Sequence, residues 1–205
     1  TDLQSGMPSV ENYAQCVAPV LDALGLESAH LLGHHTGALV ATEVALRWPD
    51  RVSSLVLNGP LPITETERKE WLDTGHKREL GMGPKPGGEH LAYLSERREM
   101  LAKGSISPDR ISEYVIMAYG ATAPFWHGHY AAYTYDHAAS IARVSVPTLI
   151  LTNTGDVIYD LAQRTRAMRP DFAYAELEGG GIDIVDQQPE EWADAVKAWL
   201  VTQGR

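Results

Sequence analysis

The sequence predicts an α/β fold, a parallel sheet carrying a helical cap. Three observations lead there. Short apolar runs of strand length alternate with longer segments of helical period over residues 1–60 and again over 145–205. The joints between them are short, as in β-α-β units whose strands run parallel. Between these stretches, residues 61–144 carry helical patterns and no convincing strand. The expected organisation is therefore a core made of 1–60 and 145–205, with 61–144 inserted in it as the cap.

Each element has its own signal. In "SVENYAQCVAPVLDALGL", Val10, Tyr13, Ala14, Val17, Leu21 and Leu24 recur at helical spacing. Ser9 is the expected N-cap, Pro19 should kink the helix and Gly25 should end it. "AHLLG" reads as a short buried strand, "TGALVATEVALRWPDRV" as a helix rich in Ala and Val, and "SSLVLNGP" as a second strand stopped at Gly59-Pro60. In the cap, "ITETERKEWLDTGHKREL" reads as one charged helix and "GMGPKPGG" as a loop. "EHLAYLSERREMLAKG" is a second helix and "SPDRISEYVIMAYG" a third, opened by a Ser-Pro-Asp start signal. "HGHYAAYTYDHAASIARV" is expected as a fourth, dense in aromatics. The sheet resumes with "VPTLILTNTGD". A helix over "YDLAQRTRAMRP", a strand over "AYAELEGG" and a closing helix over "PEEWADAVKAWLVTQ" follow.

Composition narrows the function. At 205 residues, with 44% hydrophobic and 21% charged, the chain has ordinary globular usage and length for a sizeable core. The formal net charge is -10 and no Lys/Arg-rich block occurs, so the phosphate-binding footprint of a nucleic-acid protein is absent. The single cysteine, Cys16, excludes an internal disulfide framework and is expected as a small core residue. No run approaches the roughly 18 apolar residues of a membrane span. "TDLQSGMPSV" lacks the basic and apolar regions of a signal peptide, so a cytoplasmic protein is expected. Neither a G-x-G-x-x-G nor a P-loop is present, and no cofactor is expected. A small molecule is the expected partner.

The chemistry concentrates at "LLGHHTGALVA", where Gly33 and Gly37 bracket a three-residue insert between strand and helix. In a turn of the form G-x-S-x-G, the middle residue is lifted above the sheet beside the N–H groups of the next helix. Here that residue is His35. The stretch "AHLLGHHTGALVATEVALRWPDRVSSLVLNGP", the cap, and "VPTLILTNTGDVIYD … GGGIDIVDQQPEEWADAVKAWL" resemble the α/β-hydrolase superfamily in order and over essentially the whole chain. The resemblance puts the nucleophile position on His35 and the oxyanion N–H on Thr36. It puts the triad acid on Asp156 and the triad histidine on Ile182. No histidine follows His137 among the eight present, so a Ser-His-Asp relay is absent. The resemblance also implies strands ahead of the elbow that this sequence does not hold. At about 30 residues per β-α-β unit, roughly 60–90 residues are expected to be missing. An N-terminal segment or a second copy of the chain is expected to cover the open edge of "AHLLG".

Three readings of the site stay open. In the first, His35 inherits the space of the relay and bonds Asp156 directly, as a general-base dyad serving hydrolysis of a small, partly apolar ester or carbonyl compound, or a cofactor-free lyase reaction. His35 could itself be a nucleophile. Or the site is catalytically inactive and the fold binds a ligand or partner. His34, Trp126, His129, Tyr130, Tyr133 and Ile182 are the candidate substrate-lining residues, with His34 also readable as packing beneath the turn. Asp183 and Asp186 are candidate replacement acids or caps of the final loop and helix. His127, His129 and His137 would have to converge to bind a metal, and none is expected.

Overall fold

The computed structural model describes residues 6–121 and 123–203. The signal-peptide reading of the first ten residues falls partly on positions 1–5, outside the described residues. The Ser9 hydroxyl accepts from Asn12 N at 3.2 Å and opens helix α1 (Val10–Ala14). The chain breaks at Gln15 and Cys16 and resumes as α2 (Val17–Ala23). One helix kinked at Pro19 is thus corrected to two, because proline sits comfortably only in a first turn, and α2 gives it one. Cys16 lies at this junction, half-buried rather than in the core. Gly25 follows α2 at φ +68°, a left-handed stop.

Strand β1 (Ala29–His34) leads through His35 into α3 (Thr36–Arg47) and then β2 (Val52–Asn58). The cap begins at α4 (Glu65–Trp71), held by a reciprocal Thr64–Glu67 capping box. The expected single charged helix then widens into a π turn over Leu72–His76 before α5 (Lys77–Leu80). Gly75, in that turn, is buried against the Tyr133 ring, and an added Cβ would lie 3.3 Å from it. Next come α6 (Glu89–Ala102) and α7 (Pro108–Gly120), the latter capped by Ser107 on Arg110 N at 3.2 Å. The expected fourth helix is two, α8 (His127–Thr134) and α9 (His137–Ile141). Asp136 starts the second by accepting from Ala139 N at 3.1 Å. Strand β3 (Thr148–Asn153), α10 (Tyr159–Met168), β4 (Ala173–Leu177), a short α11 (Ile184–Gln187) absent from the sequence reading, and α12 (Pro189–Thr202) complete the chain.

The sheet has the order β1-β2-β3-β4, with every neighbouring pair parallel. Side chains alternate across it. Leu55, Leu57 and Ile150 pack on one face with Ala38, Ala41 and Val44 of α3 and Ala162 of α10. Val56, Leu149 and Leu151 pack on the other with Trp192, Val196 and Trp199 of α12. Among the described residues β1 pairs on one side only, and Leu32 is 40% exposed. The edge expected to need cover is therefore open.

Asp183 and Asp186 make no side-chain cap among the described residues, and both are paired with side chains of the cap. Asp183 pairs with Arg98 of α6. Asp186 accepts from Arg110 Nη2 at 2.9 Å and from the Tyr114 hydroxyl at 2.5 Å, both on α7. The Tyr114 ring lies 4.6 Å and 5.0 Å from the Arg98 and Arg110 guanidiniums. The segment before α12 thus ties the cap to the core. The Arg98–Asp183 pair is well shielded, so Asp183→Ala should lower the unfolding free energy by about 2 kcal/mol, the scale of a hydrogen bond to a charged group. Urea unfolding would show it as a lower midpoint at constant slope.

Candidate active site

β1 delivers His34 and His35 to the top of the sheet, and the turn that does so depends on Gly33. A Cβ there would lie 2.1 Å from the Gly37 carbonyl oxygen. Gly37, the other bracketing glycine, has open space at its Cβ position, so steric need falls on Gly33 alone. His35 sits at φ +49°, ψ -114°, in the positive-φ region that side chains rarely adopt. Its backbone is clamped: its N–H donates to Asn58 O at 2.8 Å and its carbonyl accepts from Ala38 N at 2.8 Å. Such a conformation costs on the order of 1–3 kcal/mol and persists where its surroundings hold it.

The His35 ring lies across Gly59, a residue the sequence reading treated only as a strand stop. A Cβ on Gly59 would approach His35 Cδ2 to 2.5 Å and Nε2 to 2.9 Å, and Gly59 is itself at φ +66°. Gly59→Ala should therefore swing the imidazole out of place and strain the β2 exit. Loss of activity together with a lower melting temperature would register this. An unchanged variant would contradict the packing.

His35 Nε2 lies 2.8 Å from Asp156 Oδ2. The Asp156 side chain is fully buried, and its Oδ1 accepts from Ile158 N at 3.2 Å. The loop that carries it is packed tightly: a Cβ on Gly155 would meet the Gly180 carbonyl oxygen at 2.1 Å. An ionised carboxylate only accepts, so Nε2 carries the proton and the lone pair is left on Nδ1. The imidazole is 22% exposed. Thr36 follows as the first residue of α3, where a backbone N–H has no intrahelical acceptor.

His34 packs beneath, its ring centroid 4.1 Å from that of His35. Burial, and next the adjacent His35, push its pKa down to about 4 against the opposing charge of Asp156. Its Nε2 is buried without a partner among the described residues. His34, His35 and Asp156 bring nitrogen and oxygen donors within 4.8 Å of one another, a set of the kind that metals use. Two of those donors are already engaged with each other. His127, His129 and His137 do not converge: His137 is fully buried in the core, with Thr42 Oγ1 and Leu61 N as its partners.

A cavity of about 370 Å³ opens over His35 and Thr36, between sheet and cap. Of the candidate lining residues, His129, Tyr133 and Ile182 line it, while His34, Trp126 and Tyr130 do not. Helical period explains the split. His129 and Tyr133, four apart on α8, stack at 5.7 Å facing the cavity. Trp126 and Tyr130 share another face and enclose His76 at 5.1 Å and 4.8 Å. Ile182, at the triad-histidine position, presents an alkyl wall. The sequence reading missed Arg78, Glu79 and Arg97, which also line the cavity. They sit in the first two cap helices, where nothing in the sequence marks them out from the other charged residues. Glu79 is buried, with Oε1 2.5 Å from His129 Nδ1.

A model of the alpha/beta hydrolase fold matches residues 6–79. A protein of Caulobacter segnis named "putative carbamate hydrolase RutD" is 44% identical over 229 residues, covering 97% of this chain and 75% of that protein. The equally named protein of Pseudomonas savastanoi is 25% identical over 185 residues, covering 88% and 71%. The crystal structure of E-2-(acetamidomethylene)succinate hydrolase superposes with a TM-score of 0.74 at 23% identity, covering 97% of this chain and 76% of the other. That of MenH from S. aureus gives 0.77 at 14%, covering 100% and 80%. On the strength of the 44% identical relative, covered over three quarters of its length, and of the shared fold, the chain belongs to the α/β-hydrolase family.

Proposed function

We propose that this α/β-hydrolase enzyme works without the usual relay, with His35 at the elbow as a general base oriented by Asp156. The 2.8 Å contact between them carries the reading. It supports a tautomer whose free Nδ1 can take a proton, from an imidazole that lines the cavity. A serine hydroxyl at the same position would need an intervening imidazole to reach the acid. Here the ring spans that gap itself, and Ile182 leaves the vacated side apolar.

In the proposed reaction, His35 Nδ1 takes a proton from a water whose oxygen attacks the substrate carbonyl carbon. The negative charge that develops on the carbonyl oxygen is met by the Thr36 N–H. The carbon–leaving-group bond then breaks, and the proton returns from the imidazolium to the leaving group. The substrate is a small, partly apolar ester or related carbonyl compound, and the name of the RutD relatives adds carbamates to that class. Hydrolysis of a panel of p-nitrophenyl esters and carbamates by wild type and His35→Ala tests this. Activity of the wild type that the variant loses supports the dyad. No turnover of any member would leave a ligand-binding protein on an enzyme fold, and an equally active variant would overturn the dyad.

A further inference from the structure

The cap side of the cavity has a charge character that the rest of the chain does not share. The chain carries a net charge of -10, yet Arg78, Arg97 and Arg98 all line this one cavity. Arg98 is committed to Asp183. Glu79, the lining carboxylate, has its Oε1 engaged by His129, while its Oε2 is buried without a partner among the described residues. The side chains of Arg78 and Arg97 have neither a hydrogen bond nor an ion pair among the described residues. Tyr133 lies beside them on α8, and its hydroxyl likewise bonds no described residue. Both guanidiniums act on that phenol, although burial dominates and pushes its pKa up to about 12. At neutral pH it is a donor with nothing to donate to. Two uncommitted cations and a protonated phenol therefore face a cavity whose other walls include Leu61, Leu94 and Ile182.

We propose that Arg78, Arg97 and Tyr133 form a carboxylate subsite, and that the enzyme's substrates are acids whose carboxylate is held by the cap while the reacting carbonyl lies at His35. The chemistry fits. Guanidiniums bind planar carboxylates through paired N–H donors, and a neutral phenol adds a third hydrogen bond. An overall negative chain repels anions at long range, so an acid could be retained only by such a local cluster. The apolar walls suit the short carbon skeleton between the two ends. The subsite deepens the proposed function by naming the substrate class, and depends on it only for what happens at the reacting end.

Calorimetric titration separates the two. The probes are 4-phenylbutyrate, the uncharged 4-phenylbutyramide and inorganic phosphate, titrated into wild type, His35→Ala and the double variant Arg78→Gln/Arg97→Gln. Neither arginine side chain has a hydrogen bond or ion pair to lose among the described residues, so the double variant should fold. The acid is expected to bind wild type and His35→Ala alike, about tenfold or more tighter than the amide. The double variant should bring acid and amide within about threefold of each other, and Tyr133→Phe should weaken the acid selectively. Equal affinity for acid and amide in wild type would overturn the proposal. So would an acid preference that survives in the double variant, or phosphate binding tighter than the acid. Acid preference without turnover of any ester would sink the dyad and leave the subsite standing.

Discussion

Asp156→Asn is expected to lower kcat by about 10²–10⁴, the range seen when a histidine base loses its orienting carboxylate. The direction follows from the partners of Asp156. Its Oδ1 accepts from Ile158 N, and its Oδ2 faces His35 Nε2. An asparagine keeps its one acceptor oxygen on the Ile158 N–H and turns its amide nitrogen toward Nε2. That nitrogen donates, so Nε2 must accept, and the imidazole proton moves to Nδ1. The lone pair needed to take the water proton is then gone. The negative charge that stabilises the imidazolium goes with it. KM should change little, because Asp156 is buried behind the ring and does not line the cavity. Nitrogen NMR of the His35 ring would report the tautomer directly, and steady-state kinetics the loss. A variant within about threefold of wild type, with the proton still on Nε2, would end the dyad account.

The fold was legible wherever local pattern and tertiary context agreed. Each strand was a short apolar run, and each runs parallel to its neighbours as the short joints required. The errors fell where a single side chain competes with the helix. Asp136 caps α9 in the middle of what reads as one aromatic helix, and Gly75 is buried beneath Tyr133 where the charged helix widens. The first is a local competition, Asp136 accepting from Ala139 N three residues on, and the second is set by a packing partner far away in sequence. The site was half legible. His35 and Asp156, 121 residues apart, lie 2.8 Å from each other, the contact that the dyad reading required. The cap contribution was not foreseen, because an aromatic on a short helix has no sequence mark for the face it will take. Trp126 and Tyr130 were expected in the cavity with Tyr133, and one helical phase separates them from it. Arg78 and Arg97 look like any surface arginine until the cap folds over the elbow. Gly59 carried a usable signal, an Asn-Gly-Pro at a strand end, but its purpose depends on a ring that only the fold brings there.

Acidification should destabilise this protein well before its carboxylates titrate, and His137 is the main reason. The ring is fully buried at the junction of cap and core. Leu61 N donates to Nδ1 at 3.1 Å, so Nδ1 must be unprotonated. Nε2 then carries the hydrogen and donates to Thr42 Oγ1 at 3.0 Å, which in turn donates to Ala38 O at 2.8 Å. A second proton would have to enter at Nδ1, against an N–H, in a fully buried site. Burial accordingly pushes the pKa down to about 3, with Asp136 opposing weakly, and His34 is pushed down to about 4. In the unfolded chain both titrate near 6.5. The unfolded state therefore binds up to two more protons than the native state below that value. Stability is fully present above about pH 6.5 and is lost as pH falls toward 4, and further toward 3 for His137. With both sites contributing, the slope approaches about 2.7 kcal/mol per pH unit. For a domain stable by roughly 5–15 kcal/mol, that brings unfolding within reach near pH 4. Urea midpoints measured from pH 7 to pH 4 should trace this fall. His137→Asn, which can keep an acceptor for Leu61 N and a donor for Thr42, should reduce the slope by about 1.4 kcal/mol per unit, the share of one proton. A wild-type profile flat between pH 6.5 and 4.5 would mean that neither ring is held neutral by the fold.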